Sequence, residues 1–113
     1  MRDDYPSFKL WYDFTKEMFH RTSLFPRSAR YSIALRLENY SLDITSLLTE
    51  AIYAKEKINK LRLINSKLEQ IRILIRLSFE MKFINEKVYE HFNGKIEIFG
   101  KMIGGWQRSL KVG

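Results

Sequence analysis

"LRLINSKLEQIRILIRLS", Leu61 to Ser78, decides the fold. Leu61, Ile64, Leu68, Ile71, Ile75 and Ser78 recur at alternating steps of three and four, the spacing of one face of an α-helix. The run is richer than one face requires. Projected at 100° per residue, Leu63, Ile73, Leu74 and Leu77, with Met81 just beyond, form a second apolar band on nearly the opposite side. Either this band meets another subunit, which the pattern favours because soluble monomers rarely expose so much contiguous apolar surface, or it widens the protomer's own core toward two neighbouring helices. Arg72 and Arg76, four residues apart, occupy the sector beside the seam together with Arg62, Glu69 and Glu80.

The same periodicity runs outward in both directions. It predicts a helix over Ser7 to Thr22 carrying Phe8, Trp11 and Met18 with Tyr12 and Phe19 beside them. A second spans Arg27 to Ala54, with a seam through Ile33, Leu37, Tyr40, Ile44, Leu47, Ala51 and Ala54, and Pro26 suits its opening turn. The third covers Ile58 to Lys82. A fourth, Glu86 to Leu110, presents Tyr89, Phe92, Ile96, Phe99, Ile103 and Trp106. Connections of a few residues, around Glu56 and around Ile84 to Asn85, force consecutive helices to lie antiparallel, so the expected fold is an all-α, up-down-up-down four-helix bundle. At 113 residues, with five glycines and two prolines, the chain has room for one domain, residues 1–113, and little for long loops.

Composition narrows the function. Without cysteine there is no disulfide, thiol nucleophile or thiolate zinc site, and a reducing cytoplasm is the expected compartment. The opening "MRDDYPSFKLWYDF" lacks the basic-then-apolar order of a signal peptide, and no apolar run reaches the roughly 20 residues of a membrane span. His20 and His91 lie on different helices with no second ligand at metal spacing, and Glu86 with Glu90 reads as a solvated helix face. No phosphate-cradling glycine loop, nucleophile turn or acidic metal cluster is visible, so neither catalysis nor a cofactor is expected. What remains is binding. Twenty Lys and Arg against thirteen Asp and Glu leave a formal charge of +7, a field that attracts polyanions.

The arginines are the best candidates for contact. Arg72 and Arg76 between two apolar bands would be partly desolvated, which favours bidentate contacts to phosphate or carboxylate. The bland alternative is pairing along the helix, Glu69 to Arg72 and Arg76 to Glu80. Arg27, Arg30 and Arg36 follow Pro26 as a second basic group; Arg27 and Arg30, on the opening turns of the expected helix, would oppose its dipole, which an anion bound there would relieve, although plain surface solvation serves as well. Gly94, Gly100, Gly104 and Gly105 each weaken a helix by about 1 kcal/mol relative to alanine. Either Gly100 and Gly104, four apart, admit a close helix contact with Trp106 anchoring the bundle's end, or Gly104 and Gly105 end or kink the helix.

"FPRSARYSIALRLE", "LLTEAIYAKEKINKLRLINSKLEQIRILIRL" and "FGKMIGGWQRS", in that order, resemble the accessory variability determinant (Avd) proteins of diversity-generating retroelements. The resemblance covers about Tyr12 to Leu110, and its most specific parts are F-P-R, L-x-x-[IL]-R-x-x-[IL]-R-L and G-x-x-x-G-G-W. It implies a non-catalytic, basic four-helix protomer forming a ring-like homopentamer. Such a ring would bind the element's reverse transcriptase and template RNA, with DNA a further candidate, and support mutagenic cDNA synthesis (mutagenic retrohoming). Carried over by position, the nucleic-acid or reverse-transcriptase contacts would be Arg72 and Arg76, then Arg27, Arg30, Arg36, Lys101 and Arg108; the second apolar band and the glycine spacing read above put the oligomer contacts at Ile73, Leu74, Leu77, Met81, Gly100 and Gly104. Some members end in a basic tail where this chain has "SLKVG", and there it departs from the resemblance. The four-helix proteins of ribosomal RNA intervening sequences share the fold and the F-P start, and are the alternative. A membrane-surface role fits less well, because the apolar bands are bundle seams rather than a single interfacial face.

Overall fold

The computed structural model describes residues 5–112; residues 1–4, the start of the segment weighed above as a leader, and residue 113 lie outside it. Four helices account for most of the described chain: α1 (Pro6–Thr22), α2 (Ile33–Tyr53), α3 (Ile58–Glu80) and α4 (Glu86–Val112). No strand occurs among the described residues. Each helix packs against its sequence neighbours, and α4 closes back on α1. The pairing runs antiparallel throughout. Trp11 sits level with Ser41 and Thr22 with Glu38; Lys60 faces Glu50 and Lys67 faces Asp43; Asn65 meets Gln107 and Arg72 meets Glu97. An elongated body of 47 × 22 × 21 Å results.

The core follows from matched volumes. All six seam residues of α3, Leu61 through Ser78, are buried. On α4, Phe92, Ile96, Phe99 and Ile103 are buried, while Tyr89 and Trp106 pack half-buried at the ends of the row. At the centre Trp11 stacks on Phe14 at 4.2 Å and leans on Phe99 at 4.5 Å, and its indole N–H donates to the Ser41 carbonyl at 2.9 Å. Such a cluster needs small neighbours. On α2 the expected Leu37, Ile44 and Ala51 are buried, and the rest of the expected seam is corrected: Ala34, Ser41 and Leu48 complete the buried row, Ile33, Tyr40 and Leu47 flank it half-buried, and Ala54 lies just past the helix end. On α1, Phe14 takes the inner position, and Tyr12 and Phe19 are exposed.

A second correction concerns where α2 begins. It starts at Ile33, because Phe25 and Ala29 are both buried and draw the connection across the end of the bundle. Arg27–Ala29 is a single 3₁₀ turn after Pro26, and Ser32, at φ −125° and ψ −94°, separates it from the helix proper. Arg27 and Arg30 therefore do not stand on the first turn of a long helix, and the dipole argument for an anion there falls away.

The other connections are closed by specific contacts. Lys57 reaches back to the Ala51 and Ile52 carbonyls at the end of α2, and the Glu56 carboxylate accepts the Ile58 N–H at 2.9 Å. After α3, Phe83 N–H bonds to Ser78 O and Lys82 N–H to Phe79 O, the paired closure that places one residue in the left-handed region; here that residue is Lys82, at φ 66°. Asn85 caps α4 by accepting the Val88 N–H at 2.9 Å.

Candidate functional site

The groove between α3 and α4 gathers several of the residues singled out by sequence. It encloses about 390 Å³, with Asn65, Glu69 and Arg72 on the α3 side and Glu97, Lys101 and Arg108 on the α4 side. Leu68 forms part of its lining, and Gly100 and Gly104 keep it open. A methyl group at Gly100 would meet Leu68 Cδ2 at 3.6 Å, and one at Gly104 would meet the Arg108 guanidinium at 3.4 Å, so no backbone within the protomer demands either glycine. Nor do Gly104 and Gly105 end the helix, which continues to Val112.

Arg72 bridges the groove. Its Nη1 donates to Glu97 Oε1 at 3.3 Å across to α4, and its Nε lies 3.2 Å from Glu69 Oε1 on its own helix. That Nε is buried and lacks hydrogen-bond alignment with any acceptor, so the guanidinium is held by charge more than by directed bonds. Both carboxylates are mostly exposed and the arginine is 37% exposed, so each pair stabilises the fold by about 0–1 kcal/mol. Arg76 stands outside the groove, exposed, donating to Glu80 at 3.1 Å. Lys101 and Arg108 pair with no carboxylate among the described residues. The groove thus holds three cations against two carboxylates, with the uncompensated charge on the α4 wall.

Of the other basic residues, Arg27 and Arg30 lie at the opposite end of the bundle from Arg108, and Arg36 sits on the first turn of α2; all three are exposed and unpaired among the described residues. The expected oligomer residues divide. Ile73, Leu77 and Met81, joined by Leu63, are exposed on α3. Leu74 turns partly inward and packs against the core, so it belongs only in part to the surface band. Gly100 and Gly104 sit in the basic groove, away from that band.

A further apolar face was not foreseen. Leu35 and Leu42 flank Glu38 at helical spacing, on the side of α2 that Glu38 turns toward Thr22 of α1. Tyr12 and Phe19 project from α1 on the flank opposite Glu17, whose carboxylate faces α4. All four are exposed, so the α1–α2 pair carries its own apolar surface, separate from that of α3.

The α1–α4 seam is closed by a charged clasp: Glu17 accepts from His91 Nε2 at 2.6 Å and from Lys95. Burial alone would push the Glu17 carboxyl up, but the hydrogen bonds and charges of Lys95 and His91 outweigh it and hold it below the ordinary carboxylate range. Among the described residues no cluster of His, Asp or Glu could hold a metal ion, and no helix is long and apolar enough to cross a membrane.

Residues 7–110 match the family model described as bAvd-like. The chain belongs to the bAvd-like family. Among curated proteins, none matches it. The match spans all four helices, so the groove of this bAvd-like protein, its α3 band and its α1–α2 face all lie within the family's shared region.

Proposed function

We propose that this chain is the non-catalytic accessory protein of a diversity-generating retroelement, which assembles as a homopentameric ring and binds the element's reverse transcriptase and template RNA in support of mutagenic cDNA synthesis. The observation that carries the reading is the convergence of Arg72, Lys101 and Arg108 on one open groove in a chain of the bAvd-like family. Lys101 and Arg108 are free to meet phosphate directly. Arg72 would exchange a carboxylate for a phosphate oxygen, an exchange its buried, poorly aligned Nε favours.

Two apolar faces support the ring. A two-fold dimer uses the same patch on both subunits, whereas a closed ring joins two different patches head to tail. The surface of α3 around Ile73 and Leu77, and the surface of α1–α2 around Tyr12 and Leu42, are such a pair. Repetition around the ring would present the basic groove once per subunit and multiply a modest local charge.

The test is the salt dependence of binding to the template RNA. Affinity should fall linearly with salt on logarithmic axes, by about 0.7 in slope per single-strand phosphate contacted, and Lys101→Ala with Arg108→Ala should reduce that slope. Affinity that does not change between low and physiological salt would refute the electrostatic contact.

A further inference from the structure

The connection between α1 and α2 displays an aromatic ring that nothing in the protomer uses. Phe25 and Ala29 pin this segment: both are buried, and the Phe25 ring lies 5.4 Å from that of Phe83. Backbone hydrogen bonds from Ala29 to Pro26, Arg30 to Arg27 and Ser32 to Ala29 hold it in successive tight turns. What the pinned backbone presents outward is Arg27, Arg30 and Tyr31. Tyr31 is 83% exposed, more than any other large hydrophobic side chain among the described residues.

Along the chain, the charge on either side of the ring has one sign. No aspartate or glutamate occurs between Glu17 and Glu38, while Arg21, Arg27, Arg30 and Arg36 all fall in that interval. In a 3₁₀ turn residues three apart eclipse one another, so Arg27 and Arg30 rise side by side with Tyr31 next in the chain. An exposed aromatic face amid unpaired cations is the arrangement that holds single-stranded nucleic acid: the ring takes a base, the cations take the neighbouring phosphates, and any base will serve because each has a π-face.

We propose that Tyr31 is a stacking platform for one unpaired base of single-stranded RNA, with Arg27 and Arg30 holding the flanking phosphates. The inference rests on the RNA-binding reading above and adds a second contact region, at the opposite end of the bundle from Arg108. A base inside a duplex cannot reach the ring, so this region selects unpaired RNA, whereas the groove cations serve either form.

The test uses the full chain, a fluorescein-labelled twelve-nucleotide oligouridylate and a labelled twelve-base-pair RNA duplex, with binding followed by anisotropy across a salt series. Tyr31→Ala should weaken single-strand binding by on the order of tenfold while leaving duplex affinity and the salt slope unchanged, and Tyr31→Phe should bind like the wild type. Arg27→Ala with Arg30→Ala should lower the single-strand slope by about 1.4. Single-strand affinity unchanged in Tyr31→Ala would overturn the platform, as would equal losses for single strand and duplex. So would a loss in Tyr31→Phe as large as in Tyr31→Ala, or a change in assembly mass in Tyr31→Ala, which would assign the ring to a subunit contact. A wild-type chain that binds neither RNA would instead refute the RNA reading as a whole.

Discussion

Replacing Ile73 with aspartate separates the two apolar sides of α3. Ile71, two residues away, is completely buried, whereas Ile73 is 64% exposed in the protomer. Burying an isoleucine fully is worth about 1.5–3 kcal/mol, so a neighbouring subunit that covers Ile73 gains about 1–2 kcal/mol from it. Aspartate forfeits that gain and adds the cost of an unpaired charge, together about 4 kcal/mol or more per contact, near a thousandfold in association. The protomer itself should lose no more than about 0.5 kcal/mol, the usual range for an exposed site. Light scattering after gel filtration should show Ile73→Asp reduced to the protomer mass, and urea unfolding should show a cooperative transition whose midpoint no longer depends on protein concentration. Ile71→Ala is the contrasting control, expected to cost about 2–5 kcal/mol through a core cavity. An Ile73→Asp protein that keeps the wild-type mass, or loses as much stability as Ile71→Ala, would refute the assignment of this face to a subunit contact.

Lys82→Gly should raise stability by about 1 kcal/mol in urea titrations, because the left-handed backbone at φ 66° strains any residue with a Cβ; no gain would mean that the lysine charge at the end of α3 offsets the strain. Because the Glu17 carboxyl is held below the ordinary range, its contribution is complete above the unfolded glutamate value of about 4.3 and is lost as the pH falls through the lower folded value. The difference in urea midpoint between wild type and Glu17→Gln should therefore be largest near neutrality and shrink below about pH 4; a difference independent of pH would remove the charge from the account. Arg72→Ala with Arg76→Ala should leave a folded oligomer, since both residues make only exposed ion pairs, yet bind template RNA more weakly; unfolding or dissociation with normal binding by the remaining oligomer would make the pair structural.

On α3 periodicity and burial agree, because Leu61, Ile64, Leu68, Ile71, Ile75 and Ser78, spaced at alternating steps of three and four, are all buried. On α2 they diverge. Leu37, Ile44 and Ala51 are buried as the spacing required, but Ala34, Ser41 and Leu48 take the inner positions in place of Ile33, Tyr40 and Leu47, and at Ser41 the small side chain leaves room for the Trp11 indole that donates to its carbonyl. No local signal announced the late start of α2, because Phe25 and Ala29 find their burial against distant parts of the chain. The same limit applies to the candidate site. Glu69 and Glu80 could be assigned to Arg72 and Arg76 from their spacing, whereas Glu97, 25 residues from Arg72, becomes its partner only through the register of two antiparallel helices. That register also brings Lys101 and Arg108 beside Arg72 while leaving Arg76 outside the groove.

The most direct test of the account is co-expression of the chain with the retroelement reverse transcriptase and template RNA proposed as its partners, followed by affinity purification through the chain and mass determination of the eluted complex. The account predicts a stable assembly holding several copies of the chain with the reverse transcriptase and RNA, weakened when Arg72, Lys101 and Arg108 are replaced together by alanine. Elution of the chain alone, with neither reverse transcriptase nor template RNA, would contradict it.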